Sequence, residues 1–301
     1  MYKSLLLSTA LVAFSGAAFA DGVKFSGSAD MGAVNGDAFA ETQTYTDFDL
    51  DVNVGVQADN GLTFGATFDL DGEQTKIDDE QLSVFVSGDF GRVTVGDVKG
   101  ALAHTLADST DTGSAGTIDD TEKTHFGAIG DYADGVNGEE VLRYDYARDA
   151  FALSASAEID ETGAQDTAFA FAGSYATNAA GVDMTVAAGI QNTDAGDATG
   201  VTVKAQLAEG LVASAGYTAM DMGATDGTHL AAGIGYTMGA ITTHANYGRY
   251  SVDGAEDVTG FGLAASYDLG ASAAVKAGYS VSDDGVNAKE DRFSMGVGFK
   301  F

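Results

Sequence analysis

The 301-residue chain carries 14 Lys and Arg against 45 Asp and Glu, a formal net charge of −31, with 41 Gly, no Pro and no Cys. Without cysteine no disulfide framework exists, so the fold rests on backbone pairing and burial. The acid excess repels phosphate backbones, which excludes nucleic acid as a partner, and repels anionic lipid headgroups unless divalent cations intervene.

In chain order, the first element is an export signal: Lys3 gives a positive start, residues 5–14 an apolar run, and Ala18-Phe19-Ala20 an A-x-A cleavage site. Residues 1–20 are therefore expected to be removed before Asp21, leaving one mature domain over residues 21–301. The apolar run is too short for a membrane anchor, which needs roughly 20 residues. No later stretch is long and apolar enough for a transmembrane helix.

From residue 23 onward the apolar period is two, which predicts strands with one apolar and one polar face. Over residues 47–58, Phe48, Leu50, Val52, Val54, Val56 and Ala58 share one face, and Asp47, Asp49, Asp51, Asn53, Gly55 and Gln57 the other. The last segment repeats the rule, with Phe293, Met295, Val297, Phe299 and Phe301 opposite Arg292, Ser294, Gly296, Gly298 and Lys300. Sixteen strands are predicted, starting near residues 23, 47, 62, 80, 92, 140, 151, 167, 182, 200, 211, 229, 240, 258, 272 and 290. An even count suits a bacterial barrel.

The connections alternate in length. Short turns such as Asp59-Asn60-Gly61, Arg148-Asp149-Ala150 and Met238-Gly239-Ala240 separate longer acidic stretches at residues 34–46, 71–79, 192–199, 220–228 and 283–289. Short periplasmic turns and long external loops produce this rhythm. Residues 97–140 form one exceptional connection, with ten acidic residues against Lys99 and Lys123, and a short helix near residues 101–107 as an alternative to irregular chain.

Lipid leaves no partner for an unpaired backbone group, so strands cross it only as a closed cylinder. Sixteen strands leave a lumen wide enough for water, which permits polar inward faces. Phe64, Phe68, Tyr144, Tyr146, Tyr236 and Tyr279 fall at strand ends and would furnish aromatic girdles, the plain alternative being ordinary β-core aromatics.

Three segments resemble the general porins of Gram-negative bacteria, especially the α-proteobacterial, Rhodobacter-type family. They are Val23-Lys24-Phe25-Ser26-Gly27-Ser28-Ala29-Asp30-Met31-Gly32, then Gly88-Asp89-Phe90-Gly91-Arg92-Val93-Thr94-Val95-Gly96, and the strand ending in Phe301. The resemblance spans essentially the whole mature chain. It implies a sixteen-stranded antiparallel transmembrane β-barrel, usually a homotrimer, set among outer-membrane lipid and lipopolysaccharide, with the long third loop folded into the lumen. It also implies an assembly signal in Phe293, Phe299 and Phe301, read by the barrel-assembly machinery. The implied function is passive diffusion of small hydrophilic solutes and ions. Many relatives carry a basic residue directly after the glycine that corresponds to Gly96, whereas Asp97 stands here, which puts an anion preference in doubt.

Asp47, Asp49 and Asp51 are expected on the lumen face, with Lys24, Arg92, Arg143, Lys204, Lys276 and Arg292 on other strands. Charges lining a pore tune which ions pass, although any one of them is as readily a solvated lumen charge with no selective role. The loop carboxylates Asp108, Asp111, Asp119, Asp120, Glu122, Asp131 and Asp134 are the candidates for the constriction, and with them comes a cation preference. No cofactor is required. Ca²⁺, with roughly 6 to 8 oxygen ligands, is the ion that packed carboxylates would hold, though no EF-hand spacing is present.

Enzyme signatures are absent: there is no G-x-S-x-G, no H-E-x-x-H and no phosphate loop, and His104, His125, His229 and His244 are the only histidines. Three alternatives remain at this stage: a substrate-specific outer-membrane channel, a secreted acidic β-protein stabilised by calcium, and a barrel protease or lipase whose site assembles from distant strands.

Overall fold

The computed structural model describes residues 22–72, 78–107, 111–113, 116–123, 140–160, 163–194 and 196–301. The export signal with its cleavage point before Asp21, and Asp108, His125, Asp131 and Asp134, lie outside the described residues.

The strands are β1 (Gly22–Gly36), β2 (Gln43–Gln57), β3 (Thr63–Asp71), β4 (Asp78–Gly88) and β5 (Gly91–Asp97). After the long connection come β6 (Glu140–Arg148), β7 (Phe151–Glu158), β8 (Ala168–Ala179), β9 (Val182–Thr193) and β10 (Gly196–Ala208). The circuit finishes with β11 (Leu211–Asp221), β12 (Asp226–Met238), β13 (Ile241–Val252), β14 (Val258–Gly270), β15 (Ala273–Asp283) and β16 (Glu290–Lys300). Each strand pairs antiparallel with its sequence neighbours, and β1 pairs with β16 to close the barrel. Within the long connection lie a helix, α1 (Ala101–Thr105), and a 3₁₀ turn (Thr121–Lys123).

All sixteen strands start within four residues of the predicted positions. The connections differ more. The stretch expected at residues 192–199 is largely strand, because Gly196, Asp197, Ala198 and Thr199 pair with Thr193, Asn192, Gln191 and Ile190. Polar strand ends pair as well as apolar ones when both partners stand clear of lipid, but they show no apolar alternation, so a reading by periodicity stops short of them.

The burial pattern inverts that of a soluble protein. Phe171, Ile190 and Leu153 are 56%, 53% and 60% exposed, whereas Thr218, His229 and Ser294 on the opposite face are fully buried. On a closed barrel the buried face is the inner one, so the outer surface is apolar and the interior polar, as a membrane requires. Turn chemistry closes the short ends. Gly210, at φ +72, joins β10 to β11, and a Cβ there would meet the Thr237 carbonyl oxygen at 2.2 Å.

Two small apolar clusters interrupt the polar face. Ala101, Leu102 and Leu106 from the α1 region pack with Ala170, Ala187, Ala198, Met220, Ala231 and Tyr250. Ile118 packs with Val34, Tyr45 and Phe39. Strands β8, β9, β10 and β12 carry alanine, and β11 Met220, where a solvated wall would carry polar side chains, and those residues mark the seat of the α1 region.

Candidate functional site

The described part of the 97–140 connection is fastened strand by strand to the polar face. The Ala101 backbone N–H donates to Ser156 Oγ at 2.8 Å on β7, and that of Ala107 to Thr202 Oγ1 at 3.1 Å on β10. Asp111 pairs with Lys204 Nζ at 2.7 Å, and Thr112 Oγ1 lies 2.6 Å from His244 Nδ1 on β13. Asp119 pairs with Arg292 Nε at 2.7 Å on β16 and also accepts from the Thr121 hydroxyl. Glu122 is buried, accepts from Thr117 Oγ1 at 2.5 Å, and offers its backbone carbonyl to Asn246. Asp120 is exposed.

The loop carboxylates proposed for the constriction thus divide. Asp111 and Asp119 are matched by wall cations, Glu122 is held by hydroxyl and amide groups, and Asp120 faces solvent.

At the start of the connection, Arg143 Nε contacts Asp145 Oδ2 at 3.0 Å, and its Nη1 donates to the Lys99 carbonyl at 2.6 Å. Ser154 Oγ donates to Asp145 Oδ1 at 2.7 Å, while His104 Nε2 stands 3.6 Å from the same oxygen. Burial, seconded by the Arg143 charge, lowers the His104 imidazole from 6.5 to about 4. The ring is therefore neutral at pH 7, and its approach to Asp145 is not an ion pair there. Between pH 6.5 and 4 the unfolded chain binds a proton at His104 that the folded chain refuses, so acid favours unfolding across that window. Thermal unfolding in detergent at pH 7 and pH 4.5 checks this: the wild type is expected to lose more stability on acidification than His104→Gln.

Lys276 and Asp30, facing each other across the barrel seam, are both nearly buried and meet at 2.7 Å. Removing one partner of a buried pair leaves an uncompensated charge and costs about 3–5 kcal/mol. Lys276→Met is therefore expected to lower the temperature of heat modification on gels, whereas the double variant with Asp30→Asn recovers most of the loss.

The opposite chemistry sits on β2 and β3. Register sets Asp49 opposite Asp71 and Asp51 opposite Asp69, with Asp47 opposite Asp30 of β1. Ser28 Oγ donates to Asp49 at 2.7 Å. Among the described residues, Asp47, Asp49 and Asp71 form the one acidic group whose oxygens lie within 4.8 Å of one another. Neither strand contains Lys or Arg. Lys24 stands exposed near the start of β1, opposite Asn53. The Arg92 guanidinium stacks 3.6 Å over the Phe85 ring, and its Nε donates to Thr94 Oγ1 at 3.1 Å.

Sequence reading placed Asp49 and Asp51 among the site residues but not Asp69 and Asp71. The signal was the segment Thr67-Phe68-Asp69-Leu70-Asp71, which continues the alternation into what looked like a loop.

Phe301 closes the seam. Its N–H donates to the Gly27 carbonyl at 3.0 Å and the Gly27 N–H donates back at 3.1 Å. Its ring lies 6.0 Å from that of Phe48 and 6.1 Å from that of Phe299, and Phe293 sits outward opposite Tyr279.

Comparison with known proteins agrees with this architecture. A family described as Gram-negative porin matches residues 8–287. A porin of Rhodobacter capsulatus is 28% identical over 313 residues, covering 93% of this chain and all of that protein. A solved porin refined at 1.8 Å resolution superposes with a TM-score of 0.75 at 23% identity, covering 93% of this chain and 100% of its own. A mutant of Rh. blastica porin superposes at 0.64 and 17% identity with the same coverage.

Proposed function

The chain belongs to the Gram-negative porin family and forms an outer-membrane porin channel, and from that premise we propose that the channel passes small hydrophilic solutes and ions by passive diffusion, is narrowed by the 97–140 connection inside its lumen, and prefers cations. The lumenal position of the connection is supported by its partners, Ser156, Thr202, Lys204, His244, Asn246 and Arg292, which all stand on the polar face of their strands. Export with cleavage before Asp21 rests on Lys3, the apolar run and Ala18-Phe19-Ala20, while assembly as a homotrimer, insertion by the barrel-assembly machinery and contact with lipopolysaccharide belong to the same reading and rest on the family resemblance.

One observation carries the cation preference. The wall cations Lys204, Arg292, Lys276 and Arg143 are each opposed by a carboxylate, whereas Asp47, Asp49, Asp51, Asp69 and Asp71 crowd two adjacent strands that hold no base. Ions passing that wall meet a net negative field, felt over roughly 8 Å at physiological salt. In planar bilayers, the zero-current potential across a KCl gradient is expected to take the cation-selective sign at neutral pH and to shrink as salt rises. An anion-selective sign overturns the reading.

A further inference from the structure

Glycine in the middle of a strand weakens it, by roughly 0.5–1 kcal/mol relative to alanine, and commonly marks a place where another piece of backbone comes close. Six strand glycines on the polar face meet the 101–122 stretch in this way. A Cβ on Gly189 would lie 2.8 Å from Leu102 Cδ1, and one on Gly200 2.4 Å from Leu106 Cδ1. On Gly235 it would lie 2.5 Å from the Thr112 carbonyl oxygen, and on Gly278 2.3 Å from Thr117 Cγ2. On Gly32 it would lie 2.5 Å from Ile118 Cδ1, and on Gly262 2.2 Å from the Glu122 carbonyl oxygen. The contacts travel with the chain through β9, β10, β12, β15 and β1 and then turn back to β14.

We infer that Gly235, Gly262 and Gly278 are positioning residues that set the width of the channel, by letting Thr112 and the 116–122 stretch lie directly on the wall. This rests on the reading of that stretch as part of the constriction. These three differ from the other glycines of the row in what a side chain would strike. For each of them the three nearest atoms all belong to the connection: Thr112 at Gly235, Glu122 at Gly262, and Thr117 with Thr121 at Gly278. At Gly32 and Gly189 a Cβ would also strike neighbouring strands, at Met295 O and Ala172 Cβ, so those glycines serve the barrel too. At Gly235 and Gly262 the obstacle includes backbone oxygen, which cannot swing aside as a leucine tip can. A side chain there must push the connection off the wall toward the axis. The anchors Lys204 to Asp111, just before the stretch, and Arg292 to Asp119, within it, keep it in the lumen while it bulges.

The test is single-channel conductance of the full-length protein carrying Gly235→Val, Gly262→Val or Gly278→Val, each with Gly→Ala at the same position. Conductance is expected to fall in the order wild type, alanine, valine, with Gly262→Val at roughly two-thirds of the wild-type step or below, while heat modification on gels stays at the wild-type temperature. Unchanged conductance in all three valine variants overturns the inference. So does failure of both the alanine and the valine variants to form heat-modifiable barrels, since the glycines would then serve the strands. A separate arm tests the underlying reading. The chain has no cysteine, so Asp120→Cys, at an exposed position that leaves both anchors in place, offers one thiol to a charged methanethiosulfonate. Block of the current puts the stretch in the conduction path whatever the glycines do, and an unaltered current removes the constriction reading itself.

Discussion

Replacing Asp47, Asp49, Asp51, Asp69 and Asp71 together with asparagine is expected to abolish the cation preference, driving the zero-current potential in a KCl gradient to near zero or past it to the anion side. The exchange keeps shape and removes five charges from two strands that hold no base. A unit charge about 5 Å from a passing ion contributes about 0.8 kcal/mol in water, favourable for a cation and unfavourable for an anion. Several such charges within one Debye length hold the cation-to-anion ratio up by roughly tenfold even after screening. Among the described residues, what remains on the polar face is Arg92, Lys24, Lys300 and the paired cations. The barrel should tolerate the change, and gain from it. Asp49 and Asp71, like Asp51 and Asp69, are like charges directly opposite each other across a strand pair, an arrangement that destabilises a sheet. A rise in the temperature of heat modification should therefore accompany the lost selectivity. A five-asparagine variant that keeps the wild-type potential sinks the assignment of selectivity to β2 and β3. In that case the exposed Asp120 and the acids of residues 124–139 become the source to examine.

The strand pattern was open to a reader of the sequence because one physical constraint writes it. A strand with lipid on one side and water on the other must alternate, and residues 47–58 alternate for that reason. The inward parity of Arg143, Lys204, Lys276 and Arg292 was legible by the same rule, and all four stand on the polar face. The rule is silent where lipid ends. Gly196, Asp197, Ala198 and Thr199 looked like loop because polar residues on both faces carry no alternation, whereas Asp69 and Asp71 do alternate with Phe68 and Leu70 but stand where the strand runs into an acidic stretch.

Pairing between the long connection and the wall was not legible at all. Lys204 and Asp111 come together only because the chain turns back along its own wall, and no local feature of either residue names the other. The consequence for function is specific. Counting carboxylates in the 97–140 connection makes that connection the acidic element, whereas two of its described acids, Asp111 and Asp119, are met by wall cations. The wall strands β2 and β3, which contain no Lys or Arg, then hold the densest acidic cluster among the described residues. The apolar seat of α1 left a faint signal, the alanines at inward positions of β8, β9, β10 and β12, which a solvated lumen wall has no cause to select.

Deleting Phe301 is expected to reduce the yield of heat-modifiable barrels in the outer membrane by tenfold or more while leaving synthesis unchanged. The seam between β1 and β16 is the only pairing between strands at opposite ends of the sequence, running from Ser28 opposite Lys300 to Gly36 opposite Arg292. Until it forms, both strands present open edges, and in lipid each unpaired backbone group costs several kcal/mol. Phe301 extends the seam beyond Lys300 by the two backbone hydrogen bonds to Gly27, and its ring covers the gap that Gly27 leaves, with a Cβ there 2.9 Å from Phe301 Cζ. Two backbone hydrogen bonds at about 1 kcal/mol each and the ring contacts to Phe48 and Phe299 together amount to about 3 kcal/mol. At equilibrium that is a factor of more than one hundred, of which the rest of the seam buffers part. Phe301→Tyr keeps every one of these contacts and should assemble normally. Phe301→Ala keeps the hydrogen bonds but loses the ring, so it should fall between Phe301→Tyr and the deletion. Wild-type levels of barrel from the deletion strain, measured on unheated and heated outer-membrane fractions, would show that closure does not depend on this residue.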